Sequence, residues 1–196
     1  MKRHLIYCWL LGIACLMGCS KEEAEYSTWP CRFAYDNMVH QDEALSLAMD
    51  ANSRGTFCTI SETVRKGVKY LCFHTSNGKS TEQQETAEEQ QANFILGINN
   101  GIIVGFQTLN TDGPSGGFVG YDIQCPNCAR RENNLKNPNY RVSIDNNGIA
   151  TCSKCHKTYD LNNGGLIRNG EEGDTGLEKY VATTTGILGY ISVFRR

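Results

Sequence analysis

Two cysteine pairs, Cys125-Pro126-Asn127-Cys128 and Cys152-Ser153-Lys154-Cys155, stand with 23 residues between them. A C-x-x-C turn aims two sulfurs at a common centre, and two such turns supply four thiolates, a complete tetrahedral shell for zinc or iron. A doubled C-x-x-C is far more specific than a single one, and the long gap leaves room for a hairpin between the pairs. Four thiolates suit zinc, a mononuclear iron or an all-cysteine [2Fe-2S] cluster. Zinc brings no redox chemistry, and a closed four-sulfur shell leaves no position for water, so such an ion is structural. The spacing points first to zinc held by Cys125, Cys128, Cys152 and Cys155. Other readings compete. Cys152-Ser153-Lys154-Cys155-His156 matches the C-x-x-C-H pattern of haem attachment, but that use leaves Cys125 and Cys128 without a purpose. Disulfides within or between the pairs would suit an oxidising compartment. A thioredoxin-like dithiol is weaker, because neither pair is expected to open a helix after a βαβ strand.

The compartment is set by the first residues. A basic start, Met1-Lys2-Arg3-His4, precedes the apolar run from Leu5 to Met17, which has the length of a signal-peptide core and is too short to span a bilayer. It ends in Leu16-Met17-Gly18-Cys19, which resembles a bacterial lipobox, with Cys19 as the lipidated residue. The polar stretch Ser20-Lys21-Glu22-Glu23-Ala24-Glu25 reads as a tether and resembles the surface-export signal of Bacteroidetes lipoproteins. The expectation is a signal peptide over 1–18, a lipid-anchored tether over 19–28, and attachment to the outer membrane, facing the periplasm or the cell exterior.

Removing 1–18 takes Lys2 and Arg3 from 19 basic residues, leaving 17 against 21 acidic ones. This charge draws in neither nucleic acid nor an anionic bilayer, so the membrane partner is reached through lipid alone. Three cysteines fall outside the paired turns and the anchor. One disulfide among Cys31, Cys58 and Cys72 is expected, with the pair left open. No catalytic constellation stands out among the histidines and acids, and the reading leans away from an enzyme. His40 reads as an exposed polar residue, His74 as a packed or edge residue.

Asn-Gly occurs five times, mostly between short β-rich runs, as two-residue hairpin turns require. Thr56–Val64 with Lys69–Thr75, Phe94–Ile98 with Ile102–Phe106, and Tyr140–Ile144 with Ile149–Thr151 read as strand pairs, and Tyr180–Thr184 and Ile187–Phe194 as strands that close the sheet. Phe118–Ile123 leads into the first cysteine turn. Asp42–Met49 reads as one short helix, and Ser80–Ala92 as a solvated helix or a surface insertion. The fold class is mainly β, with both cysteine pairs on loops at strand ends. Residues 29–98 form an N-terminal β-rich elaboration with a short helix, and 99–196 the metal-binding region, the two making one compact domain.

From about Asn99 to Val193 the order of features resembles a Rieske domain: an apolar hairpin, a strand ending in Phe118-Val119-Gly120-Tyr121-Asp122, then Cys125-Pro126. A second hairpin follows, then Cys152-Ser153-Lys154-Cys155-His156-Lys157-Thr158-Tyr159-Asp160-Leu161, Gly164-Gly165, Leu177-Glu178-Lys179-Tyr180 and a last strand. The resemblance implies Rieske-like antiparallel sheets with two metal-binding hairpin loops, and a [2Fe-2S] cluster with electron transfer as the alternative function. In that family each loop gives one cysteine and one histidine. Here Cys125 and Cys152 match the cysteines, Cys128 and Cys155 fall near the histidine positions, and His156 is one place late. These departures imply an inherited fold with a changed cofactor. A four-thiolate cluster would have a low potential, near the plant-type value of about −400 mV.

Overall fold

The runs Ile102–Phe106 (β5) and Phe118–Asp122 (β6) are buried along their whole length, as strands covered on both faces must be. A computed structural model describes residues 26–111 and 115–196. The expected signal peptide and the expected lipidation site at Cys19 lie outside them. Alternation splits β5 and β6 between two cores. Ile102, Val104, Phe106 and Phe118 join one cluster, while Ile103, Val119 and Tyr121 join the other.

The remaining strands are β1 (Arg32–Asp36), β2 (Phe57–Arg65), β3 (Val68–Thr75), β4 (Ser80–Gln84), β7 (Val142–Ile144), β8 (Ile149–Cys152), β9 (Thr158–Asp160), β10 (Leu166–Ile167), β11 (Lys179–Thr184) and β12 (Tyr190–Phe194). Eight form one antiparallel sheet in the order β1-β12-β11-β6-β5-β2-β3-β4, and four form a small sheet in the order β10-β9-β8-β7. Strands from both sides of the expected 98/99 boundary therefore share the large sheet. Its first core holds Phe33, Tyr35, Phe73 and the helix residues Leu45, Ala48 and Met49. Its other face packs on the small sheet through Phe57, Ile103 and Tyr121 against Val142, Ala150, Tyr159 and Leu161. Among the described residues, no helix is long and apolar enough to cross a membrane.

Among the described residues there are four short α-helices: α1 (Asn37–His40), α2 (Glu43–Ala48), α3 (Ala87–Ala92) and α4 (Pro126–Arg131). The expected helix is α2, capped by Asp42, whose carboxylate accepts from the Leu45 amide at 2.8 Å. Asp42 is buried and also accepts from Thr81 Oγ1 and Gln83 Nε2 at 2.8 and 2.9 Å. This explains why 80–84 is a strand rather than a helix or insertion. Its inward residues satisfy a carboxylate instead of filling an apolar stripe, so no hydrophobic period marks it. The rest of that segment is α3, held by a capping box between Thr86 and Glu89.

Phe94–Ile98 does not form the expected hairpin strand. Both edges of β5 are already taken, by β2 and β6. The segment instead touches β1 at one bridge, Ile95 to Arg32, and turns at Gly97 so that the Ile98 amide reaches Asp122 Oδ2 at 2.7 Å. Gly97 has φ +65°, and a Cβ there would collide with the Asp122 carboxylate. Gly97→Ala is expected to cost about 2–4 kcal/mol, from left-handed strain plus the clash. Gly78→Ala, at φ +91° with nothing within 4 Å, should show the backbone part alone. Urea unfolding midpoints of the two variants measure the difference.

The end of the expected tether is already attached. The Ser27 amide donates to the Lys179 carbonyl at 2.7 Å, and Lys179 lies over the Tyr26 ring. All seven described cysteines are free thiols, so the expected disulfide among Cys31, Cys58 and Cys72 does not form. Cys31 and Cys58 are instead packed as small apolar side chains in the first core.

Candidate metal centre

β6 delivers the chain into the first cysteine turn. Cys125 caps α4, with Pro126 at the first helical position, where a missing N–H costs nothing and the fixed φ suits the helix. The Cys125 amide donates to the Tyr140 carbonyl at 2.8 Å, anchoring the turn beside the small sheet. One helical turn brings Cys128 round to the same side as Cys125. This is a short helix rather than the expected loop, and it follows a strand that is antiparallel to both its neighbours, not a βαβ strand.

The second turn is the tight reversal between β8 and β9. The His156 amide donates to the Cys152 carbonyl at 2.9 Å and the Cys152 amide to the Lys157 carbonyl at 3.0 Å. His156 takes φ +58° to close it, and its carbonyl accepts from Asn169 Nδ2 at 2.9 Å. Its ring is exposed, so the histidine of the C-x-x-C-H pattern serves as a turn residue. His40 is partly buried, not exposed: it bonds the Glu89 carboxylate at 3.0 Å and stacks on Tyr35. His74 is exposed and bonds Ser80 Oγ at 2.8 Å across a strand pair; it is neither packed nor on an edge, because β3 is flanked by β2 and β4.

The two turns converge. The Sγ atoms of Cys125, Cys128, Cys152 and Cys155 all lie within 4.8 Å of one another. Across the turns, Cys125 to Cys155 is 3.7 Å and Cys128 to Cys152 is 3.8 Å. A tetrahedron with a metal–sulfur distance of about 2.3 Å has an edge of about 3.8 Å. Three of the four cysteines are fully buried and Cys155 is half-buried. The arrangement is compatible with metal binding.

The electrostatics favour the same conclusion. Hydrogen bonding to Cys152, then burial, pushes the Cys125 thiol up, and burial pushes Cys128 up. The bond from Cys125 holds Cys152 below its usual range. Four buried thiolates are unfavourable without a cation among them, so the pocket must either keep its protons or take up a metal.

Sequence reading missed the groups around the sulfurs. The buried Tyr159 hydroxyl lies 3.1 Å from Cys125 Sγ, to which it donates when that sulfur is a thiolate, and it accepts from Asn127 Nδ2 at 3.0 Å. Asn127 is itself fixed by the Thr175 amide and carbonyl at 3.0 and 2.9 Å. Arg131 Nη2 stands 3.8 Å from Cys128 Sγ. The only signals were local ones: Asn127 inside the first turn and Tyr159 four residues after the second. Tyr159→Phe removes the donor to Cys125 and is expected to weaken metal affinity roughly 10- to 100-fold, the usual effect of losing an outer-shell partner. Competition with a chromophoric chelator measures it, and unchanged affinity would show the hydroxyl to be idle.

Comparison of the chain with protein-family models, with curated proteins and with solved structures gives no match.

Proposed function

We propose that this chain is an exported, lipid-anchored protein whose four cysteines hold one zinc ion as a structural clamp in a binding module. The carrying observation is that all four sulfurs lie within 4.8 Å of one another. A [2Fe-2S] cluster divides its thiolates between two irons, so sulfurs on different irons stand farther apart than the edge of one tetrahedron. The close packing therefore favours a single ion. A closed shell of four sulfurs supplies no open coordination site, and its role is to tie α4 and the β8–β9 turn together. The Lys2–Cys19 sequence supports export and an outer-membrane anchor at Cys19.

The Rieske-like reading is retained for the architecture. It is supported by the chain order β6, first turn, β7–β8 hairpin, second turn, β9, then return to the large sheet. In that reading an iron–sulfur electron carrier is the competing function, and the Tyr159 donor to Cys125 favours it to the extent that it would stabilise charge on a cluster sulfur. Metal analysis of anaerobically purified protein distinguishes the two. One zinc per chain and a colourless sample are expected, with thiolate charge-transfer bands on cobalt substitution. A red-brown protein with two irons and sulfide that bleaches on reduction would replace the zinc reading. Neither metal, with all four sulfurs oxidised, would remove both.

A further inference from the structure

The large sheet ends at β1, and only part of its outer edge is covered. β12 pairs with the inner edge. On the outer edge Arg32 exchanges both backbone bonds with Ile95, at 2.8 and 2.9 Å. Antiparallel pairing alternates along a strand, so Ala34 turns its N–H and C=O to the same side as Arg32. Among the described residues neither group of Ala34 has a partner. A ladder has thus been started and left vacant one step further on.

Across that vacancy stands α3. Between the two lies a groove of about 590 Å³, lined by Ala34, Tyr35, Val39, Ala87, Glu88 and Phe94 among others. This is within the range of about 300–1,000 Å³ usual for ligand sites. The Tyr35 hydroxyl is buried and, among the described residues, has no hydrogen-bond partner, a rare condition that calls for an explanation. An open strand edge facing a helix is the geometry by which extended peptides add to a sheet.

The charges narrow the occupant. The acidic residues lining the groove are Asp36, Glu88 and Glu89, and among the described residues no basic one lines it. Glu89 is engaged by His40 and the Thr86 amide, and Asp36 by the Met38 amide. Glu88 is exposed and, among the described residues, has no hydrogen bond or ion pair to occupy it. A second copy of β1 is disfavoured, because its pairing would need the Arg32 edge that Ile95 holds. The chain's own 20–25 segment is disfavoured by charge, since it carries Glu22, Glu23 and Glu25.

We propose that the groove between β1 and α3 binds an extended peptide segment with cationic side chains, which pairs its backbone with Ala34 and sets a positive charge against Glu88. The test uses the metal-loaded full chain and two blocked octapeptides, one alternating lysine and valine, the other glutamate and valine. The lysine peptide should slow exchange of the Ala34 amide by about tenfold or more, and the glutamate peptide should leave it unchanged. Ala34→Pro removes that N–H at an edge position and should abolish binding. Glu88→Lys, on an exposed helix position, should weaken binding about tenfold with the melting temperature retained. No protection of Ala34 at millimolar lysine peptide, or equal binding of both peptides, overturns the proposal. None of these readouts depends on which metal the cysteines hold.

Discussion

Cys128→Ser is expected to take the bound metal from about one ion per chain to nearly none and to loosen the small sheet. Structural zinc in a four-ligand site contributes about 10–16 kcal/mol of apparent binding free energy, and that binding energy is folding energy. A whole domain is stable by only about 5–15 kcal/mol, so the second core should not keep its packing without the ion. Cys128 and Cys152 are fully buried members of that core, alongside Tyr140, Val142 and Tyr159. The first core contains none of the four ligands. Amide exchange should therefore rise first in β7, β8 and β9, with β2 and β3 affected less. Cys72→Ser, half-buried on β3, is the control and should keep the metal. Full metal content and unchanged exchange in Cys128→Ser would show that the sulfurs hold nothing of consequence. A strong chelator should reproduce the variant in the native chain.

The second large effect is expected at Asp122, at the end of β6 and three residues before Cys125. Its side chain is fully buried and accepts from the Ile98 amide, the Gln124 amide and the Tyr180 hydroxyl, each at 2.7 Å. Asp122→Ala leaves three buried donors without an acceptor and should cost about 3–5 kcal/mol. Burial pushes this carboxyl up to about 6, against the opposing pull of its three donors. An acid whose folded value is raised binds more protons in the native state than in the unfolded one between about pH 4 and 6. Its stabilising contribution is then complete below about pH 4 and is lost as pH rises to about 6, by at most about 1.4 kcal/mol per unit. Asp122→Asn cannot titrate. The stability difference between native protein and Asp122→Asn should shrink as pH rises through that window and level off above it. Because both proteins carry the same cysteines, proton competition for the metal cancels in the difference. Urea unfolding at pH 4 to 7 reads the trend, and a difference that grows with pH would contradict it.

The four sulfurs were legible in the sequence because their spacing carries its own geometry. So were the β2–β3 and β7–β8 hairpins, where apolar residues flank short turns, and β11 and β12 as closing strands. Elements whose partners are polar were not. β4 alternates, but its inward Thr81 and Gln83 face a buried carboxylate, which no hydrophobic pattern records. Phe94–Ile98 is apolar enough to be a strand and is excluded only because β2 and β6 have filled the edges of β5, a fact of three-dimensional pairing. Pro126 was a helix-start signal overlooked in favour of the cysteines on either side of it. The support for the sulfurs from Tyr159 and Asn127 was hidden for a different reason. A single tyrosine or asparagine has no period, and its partner lies 34 residues away for Tyr159 and 48 for Asn127.

β1 and β12 are the first and last strands among the described residues, and they pair from Arg32–Phe194 through Asp36–Tyr190. A polypeptide that emerges from its amino end must carry Phe33 and Tyr35 unsheltered until β12 has been released. Such distant pairings are the ones that slow folding, to milliseconds or seconds in comparable β proteins, and an unmatched apolar strand invites association in the interval. β12 acts as a closing stitch, and maturation waits on it.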